Sequence, residues 1–239
     1  MWQELLVGVE VVLLHATPVY YGFGVPHGDG SGVVIIPGFL ASDFYLMELF
    51  AWLKRIGYSP FYSGIGLNAD CPNLLIGRRL NETIAQARKS TKGKVHLIGH
   101  SLGGIIARSV AAGRPDDIAS VTTLGAPFRG TVMHPRMLDL VNLVRGQILR
   151  QHEKKVLPDC YTSRCTCSFL DHLRKEMPPG LSETAIYTET DGMVDWHYCK
   201  TDNPANDFEV AGTHVGMAFN PSVYRIIAHR LADPGWREE

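Results

Sequence analysis

The sequence predicts a single α/β domain. It should be a doubly wound, mostly parallel sheet of about six strands, helices on both faces, and one helical insertion. Three observations lead there. From residue 31 onward, short apolar runs alternate with helical patterns of about 10 to 15 residues. The runs VVIIP (33–37) and KVHLIG (94–99) are continuously apolar or nearly so, as strands covered on both faces require. The 239 residues, 45 % hydrophobic and 20 % charged, suffice for one large core. A formal net charge of −1 gives no general attraction to nucleic acid or anionic membranes.

The first segment, residues 1–30, opens with the apolar stretch MWQELLVGVEVVLLH, which carries Glu4 and Glu10. No basic region precedes it, so a secretory signal is not expected. Pro18, Gly22 and Gly24 leave it too short to span a bilayer. It is expected to form a helix packed on the core, with a membrane-surface or lid-like helix as the alternative.

The core is expected in residues 31–130 and 181–239. After the 33–37 strand comes a helix with Leu46, Leu49, Phe50, Leu53 and Ile56 on one face. Ser42 or Asp43 would cap it and Gly57 would stop it. YSPFY (58–62) reads as a strand whose proline marks a short or edge element. A polar helix over 78–91 and the 94–99 strand follow, then SLGGIIARSVAAG as a helix ending at Gly113. SVTTLG (120–125) is the next strand and runs into GAPFRGT. Residues 131–180 break the rhythm: MLDLVNLVRGQIL is apolar around much of a helix, and a cysteine-rich stretch and Pro-Pro-Gly follow. This segment is expected to be a cap or lid over the sheet's carboxyl edge, with a plain packing subdomain as the alternative. TAIYTET (184–190) and DFEVAG (207–212) resume the sheet, and Asn220-Pro221 starts a last helix reaching about Ala232.

The chemistry centres on KVHLIGHSLGG (94–104). Ser101 falls between a strand and a helix, flanked at −2 and +2 by Gly99 and Gly103. So sharp a turn excludes side chains at those flanks and lifts the serine oxygen above the sheet. A serine nucleophile needs a base, and the base needs an acid to orient it. Asp191 ends the strand in TAIYTETDG, and His214 lies in GTHVG after the last strand. Both would reach the same carboxyl edge as Ser101. Asp195 is the second candidate for the acid. His100 points the wrong way for a base and is expected to pack against the sheet. Asp195, His197 and Cys199 in DWHYC lack regular ligand spacing, so no metal site is expected. The oxyanion would rest on the amides of Leu102 and Phe39, with Leu40 the second choice for the latter. Leu40, His100, Val194 and Val215, close to these groups in sequence, are the candidates to line the substrate.

The pieces VVIIPGF, GHSLGG, TLGAPFRGT, IYTETDGMV and GTHVG, in that order, resemble the α/β-hydrolase superfamily and within it the small bacterial lipases and esterases. They extend from residue 33 to about residue 232 when the last helix is included. DGMVDWHYC and GTHVGMAFNPSVYRIIAHRL are similar to a subgroup of bacterial hydrolases with a TDG-V-W–C segment and a histidine motif leading into a helix that begins NP. The resemblance implies Ser101 as nucleophile, Asp191 as acid and His214 as base. CYTSRCTC in the insertion departs from it, which leaves the cap's structure and the specificity open.

The expected activity is a serine carboxylic-ester hydrolase acting on hydrophobic acyl esters without cofactor or metal. An acyltransferase or thioesterase using the same three residues is one alternative, and a non-catalytic binding module on a hydrolase scaffold is the other. The expected partner is a small-molecule or lipid ester, with transient lipid-interface contact and no nucleic acid; the oligomeric state is open. A cytoplasmic location is the default, with secretion left open. Five cysteines (Cys71, Cys160, Cys165, Cys167 and Cys199) allow either free thiols or a disulfide from the 160–167 segment to Cys71 or Cys199.

Overall fold

Strand β1 (Gly32–Ile36) is buried at every residue, and its side chains feed two separate cores. Val33 and Ile35 face one, Val34 and Ile36 the other. This is a strand covered on both sides. In the computed structural model, which describes residues 7–130, 133–152 and 155–237, it pairs with β2 (Ser59–Tyr62) and β3 (Val95–His100). β4 (Ile118–Leu124), β5 (Ser182–Tyr187) and β6 (Asp207–Glu209) complete the sheet. Its order is β2-β1-β3-β4-β5-β6, and every pair is parallel.

Helices α1 (Val7–His15), α2 (Met47–Arg55) and α8 (Pro221–Ala232) cover the face reached by Ile35. There Trp52, Leu53 and Tyr224 are fully buried, each large side chain stabilising by roughly 1.5–3 kcal/mol. The opposite face carries α3 (Pro72–Leu75), α4 (Asn81–Thr91), α5 (Leu102–Gly113) and α7 (Ser168–Leu173). Between β4 and β5 the chain adds α6 (Pro135–His152) and α7.

The edge position expected of β2 from Pro60 is the one observed. Several boundaries differ from the sequence reading, β5 among them, which runs over Ser182–Tyr187 where 184–190 is expected. Asp43 opens a 3-10 turn (Asp43–Leu46) ahead of α2, and its carboxylate accepts from the Ser63 and Gly64 amides and the Ser63 hydroxyl instead of capping the helix. The helix expected over 78–91 begins earlier, at Pro72, and passes through a π-helical turn (Ile76–Leu80). β6 ends at Glu209 rather than residue 212.

Residues 1–6, Glu4 among them, lie outside the described residues. In α1, Leu14 is fully buried while Val9, Val12 and Leu13 are exposed. In α6 only Val144 and Ile148 are buried, and Leu138 and Leu143 face outward. Among the described residues no helix is long and apolar enough to cross a membrane.

Candidate active site

Ser101 stands between the last residue of β3 and the first of α5, with φ 52 and ψ −122. That region is unfavourable for a residue with a Cβ and costs about 1–3 kcal/mol. The surroundings enforce it. The Ser101 amide donates to the Leu124 carbonyl at 2.8 Å, and its carbonyl accepts from the Gly104 amide at 2.9 Å. A Cβ on Gly99 would collide with the Gly103 backbone, and one on Gly103 with the carbonyls of Ile36 and Pro37. Gly99→Ala is therefore expected to destabilise the fold by about 3 kcal/mol, read from urea unfolding.

His214 follows β6 and is 3 % exposed. Its Nε2 lies 3.0 Å from Ser101 Oγ, and its Nδ1 lies 2.6 Å from Asp191 Oδ2. The other oxygen of Asp191 accepts from the Met193 amide at 2.8 Å and the Val194 amide at 2.9 Å. A carboxylate only accepts, so the imidazole proton belongs on Nδ1 and the Nε2 lone pair faces the serine hydroxyl. Three residues remote in sequence thus form one hydrogen-bonded chain at the carboxyl edge.

Asp195 is not part of that chain. Its Oδ1 accepts from the His197 amide at 3.1 Å and stands 2.7 Å from the His197 ring. Those hydrogen bonds hold its carboxyl below the ordinary value. Cys199 lies buried near both aspartates, and burial followed by their charges pushes its thiol up. Among the described residues no group of three or more His, Cys, Asp or Glu is arranged to hold a metal ion.

His100, a candidate for lining the substrate, sits beneath the site instead, 4 % exposed. Its Nε2 donates to the His214 carbonyl at 2.9 Å. Burial, followed by the neighbouring His214, pushes it down to about 3, so it stays neutral at working pH. Tyr45 braces the next residue, donating to the Val215 carbonyl at 2.6 Å. Val194 and Val215 are half-buried near Asp191 and His214 in sequence.

In the loop after β1, the two amides considered for the oxyanion differ in their backbone partners. Leu40, at φ 59 and 38 % exposed, has its amide engaged with the Asn68 carbonyl at 2.9 Å. The buried Asn68 also donates from Nδ2 to the Pro37 carbonyl at 2.8 Å and from its amide to Ala41 at 2.9 Å. Among the described residues, the Phe39 amide has no backbone acceptor. The Leu102 amide, first in its helix, lacks an intrahelical one.

The histidine loop is held from far away in sequence. Glu10 of α1 accepts from the Thr213 amide at 3.1 Å and the Thr213 hydroxyl at 3.0 Å. That hydroxyl in turn accepts from the Gly216 amide at 3.0 Å. Thr190 Oγ1 donates to the Gly212 carbonyl at 2.7 Å, joining the loops that carry Asp191 and His214. Glu10→Ala is expected to lower kcat about tenfold with KM little changed, and Glu10→Gln, which keeps one acceptor, to stay within about threefold. Steady-state kinetics on an ester decides it.

The profile of the alpha/beta hydrolase fold matches residues 78–166, a span holding Ser101 but neither Asp191 nor His214. The six parallel strands and the turn at Ser101 agree with it. The chain has the α/β-hydrolase fold. Among curated proteins, a triacylglycerol lipase of Burkholderia plantarii is 48 % identical over 134 residues, 53 % of this chain and 37 % of that one. A triacylglycerol lipase of Pseudarthrobacter phenanthrenivorans is 48 % identical over 107 residues, 41 % of this chain and 34 % of that one. The chain thus spans little more than a third of the length of these relatives. Two solved structures share its fold. A monoacylglycerol lipase of Paleococcus ferrophilus has a TM-score of 0.56 at 14 % identity, covering 88 % of this chain and 97 % of that one. A mature Bacillus licheniformis lipase has a TM-score of 0.56 at 17 % identity, covering 87 % and 94 %.

Proposed function

We propose that this protein is a serine carboxylic-ester hydrolase acting on esters of hydrophobic acyl groups. The observation that carries the reading is the hydrogen-bonded run from Ser101 through His214 to Asp191. His214 Nε2 takes the hydroxyl proton as Ser101 Oγ attacks the ester carbonyl, and Asp191 steadies the imidazolium that forms. The amides of Phe39 and Leu102 donate to the oxyanion, each donor contributing about 2.7–4 kcal/mol in the transition state. His214 then protonates the departing alcohol, and water, deprotonated by the same imidazole, releases the acid. The likeness to triacylglycerol lipases supports the ester, and exposed Leu40 together with the apolar outer side of α6 supports an apolar acyl group. In this reading the insertion acts as a cap that shapes the acyl site.

A series of p-nitrophenyl esters of increasing chain length, assayed with and without an emulsified interface, tests the substrate class. The expected result is kcat/KM rising with chain length beyond acetate. A flat profile, or turnover only when an alcohol or thioester replaces water or ester, would refute it.

A further inference from the structure

We propose that Cys71 and Cys160 are a disulfide-forming pair, an oxidation site that ties the insertion covalently to the core beside the Phe39 loop. The proposal goes beyond the ester-hydrolase reading and does not depend on it.

Cys71 starts α3 on the core side, and Cys160 follows α6 in the insertion. They are 4 % and 2 % exposed and belong to one buried cluster with Val144, Ile148 and Val156. Phe39 and Tyr161 pack against this cluster, their ring centroids 6.2 Å apart. Both are free thiols. Their mutual interaction, with the amides of Leu74 and Asn73 also donating, pulls the Cys71 thiol down, while the partner thiol is pushed up.

Both cysteines sit on backbone that is held in place, as bridging requires. The Cys71 amide donates to Asp70 Oδ1 at 2.7 Å, and His152 at the end of α6 approaches the same oxygen at 2.8 Å. Arg145 donates from Nε to the Cys160 carbonyl at 2.9 Å and from Nη2 to the Pro158 carbonyl at 2.7 Å. Burial and the neighbouring Cys165 raise the Cys167 thiol, and Cys199 lies near Asp191 and Asp195, whose charges add to the effect of its burial. The sequence left Cys71 and Cys199 equal as partners; the structure favours Cys71.

The oxidant is a low-molecular-weight disulfide of the glutathione class. The Cys71 thiolate attacks one of its sulfurs and expels one thiolate, leaving a mixed disulfide. The Cys160 thiol loses its proton and attacks the Cys71 sulfur, expelling the second thiolate. Two protein thiols are oxidised, one small disulfide is reduced, and two protons are released. Because both sulfurs are buried, the first attack requires the insertion to lift. Closure then encloses α3, α4, β3, α5, β4 and α6 in one covalent loop, a long one and so strongly stabilising in the chain-entropy account.

The test incubates the full chain with oxidised glutathione, alkylates remaining thiols and maps the peptides by mass spectrometry. The expected result is a Cys71–Cys160 cross-linked peptide, Cys199 still alkylated, and a melting temperature higher by about 5–15 °C. Cys160→Ala and Cys71→Ala should each show no such rise on oxidation. A cross-link to Cys165 or Cys167 instead, both sulfurs still free, zinc held by the thiols in native mass spectrometry, or a cross-linked protein that melts no higher than the reduced one would overturn the proposal. Mapping the unmutated chain decides the pairing even if a variant fails to fold.

Discussion

Ser101→Ala is expected to lower kcat/KM for p-nitrophenyl esters by at least about 10⁴-fold while leaving the fold intact. The size follows from what alanine removes. The alternative nucleophile is water, which must be activated by His214 without being covalently positioned. The residual rate would come from the Phe39 and Leu102 amides and from binding alone. Stability should not suffer, because Oγ of Ser101 faces His214 Nε2 and holds no part of the sheet together. Alanine also keeps the backbone at φ 52, strained as before, so unfolding in urea should move by less than about 1 kcal/mol. Activity within tenfold of the unmutated chain would remove the serine from the mechanism.

Asp191→Asn is expected to lower kcat by about 10⁴-fold, whereas Asp195→Asn should stay within about threefold. The asymmetry rests on geometry. Asp191 takes Nδ1 of His214 on one oxygen and two amides on the other. An asparagine there can present its NH₂ to the imidazole, which moves the ring proton to Nε2 and removes the base that Ser101 needs. Asp195, four residues beyond Asp191, spends its carboxylate on His197. Steady-state kinetics of the two variants side by side discriminates the acids that sequence alone left in competition. Equal losses in both would contradict the assignment.

The sheet was legible because continuous apolar runs have few alternatives. VVIIP had to be buried on two faces, and Val33 to Ile36 are all fully buried. Ser101 was legible for a related reason: glycines at both flanks announce a turn that tolerates no side chain, and the Cβ collisions at Gly99 and Gly103 show why. What escaped depends on contacts across the chain. Glu10 reaches Thr213 over 203 residues, and no local pattern in VGVEVVLLH marks it as a clamp on the histidine loop. Asn68 engages the Leu40 amide and leaves the Phe39 amide without a backbone acceptor among the described residues, yet in SGIGLNADC it reads as an ordinary loop residue. Asp43 has the composition of a helix cap, but three donors from the Ser63–Gly64 turn compete for it and win. His100 lay next to the nucleophile in sequence, and the alternation of a buried strand turned it under the site.

The most direct test of the account is labelling with a fluorophosphonate, which phosphonylates a serine only when a neighbouring base activates it. The account predicts a single adduct on the peptide carrying Ser101, formed at least about 100-fold more slowly in His214→Ala. An adduct on a different serine, or an unchanged rate in His214→Ala, would contradict it.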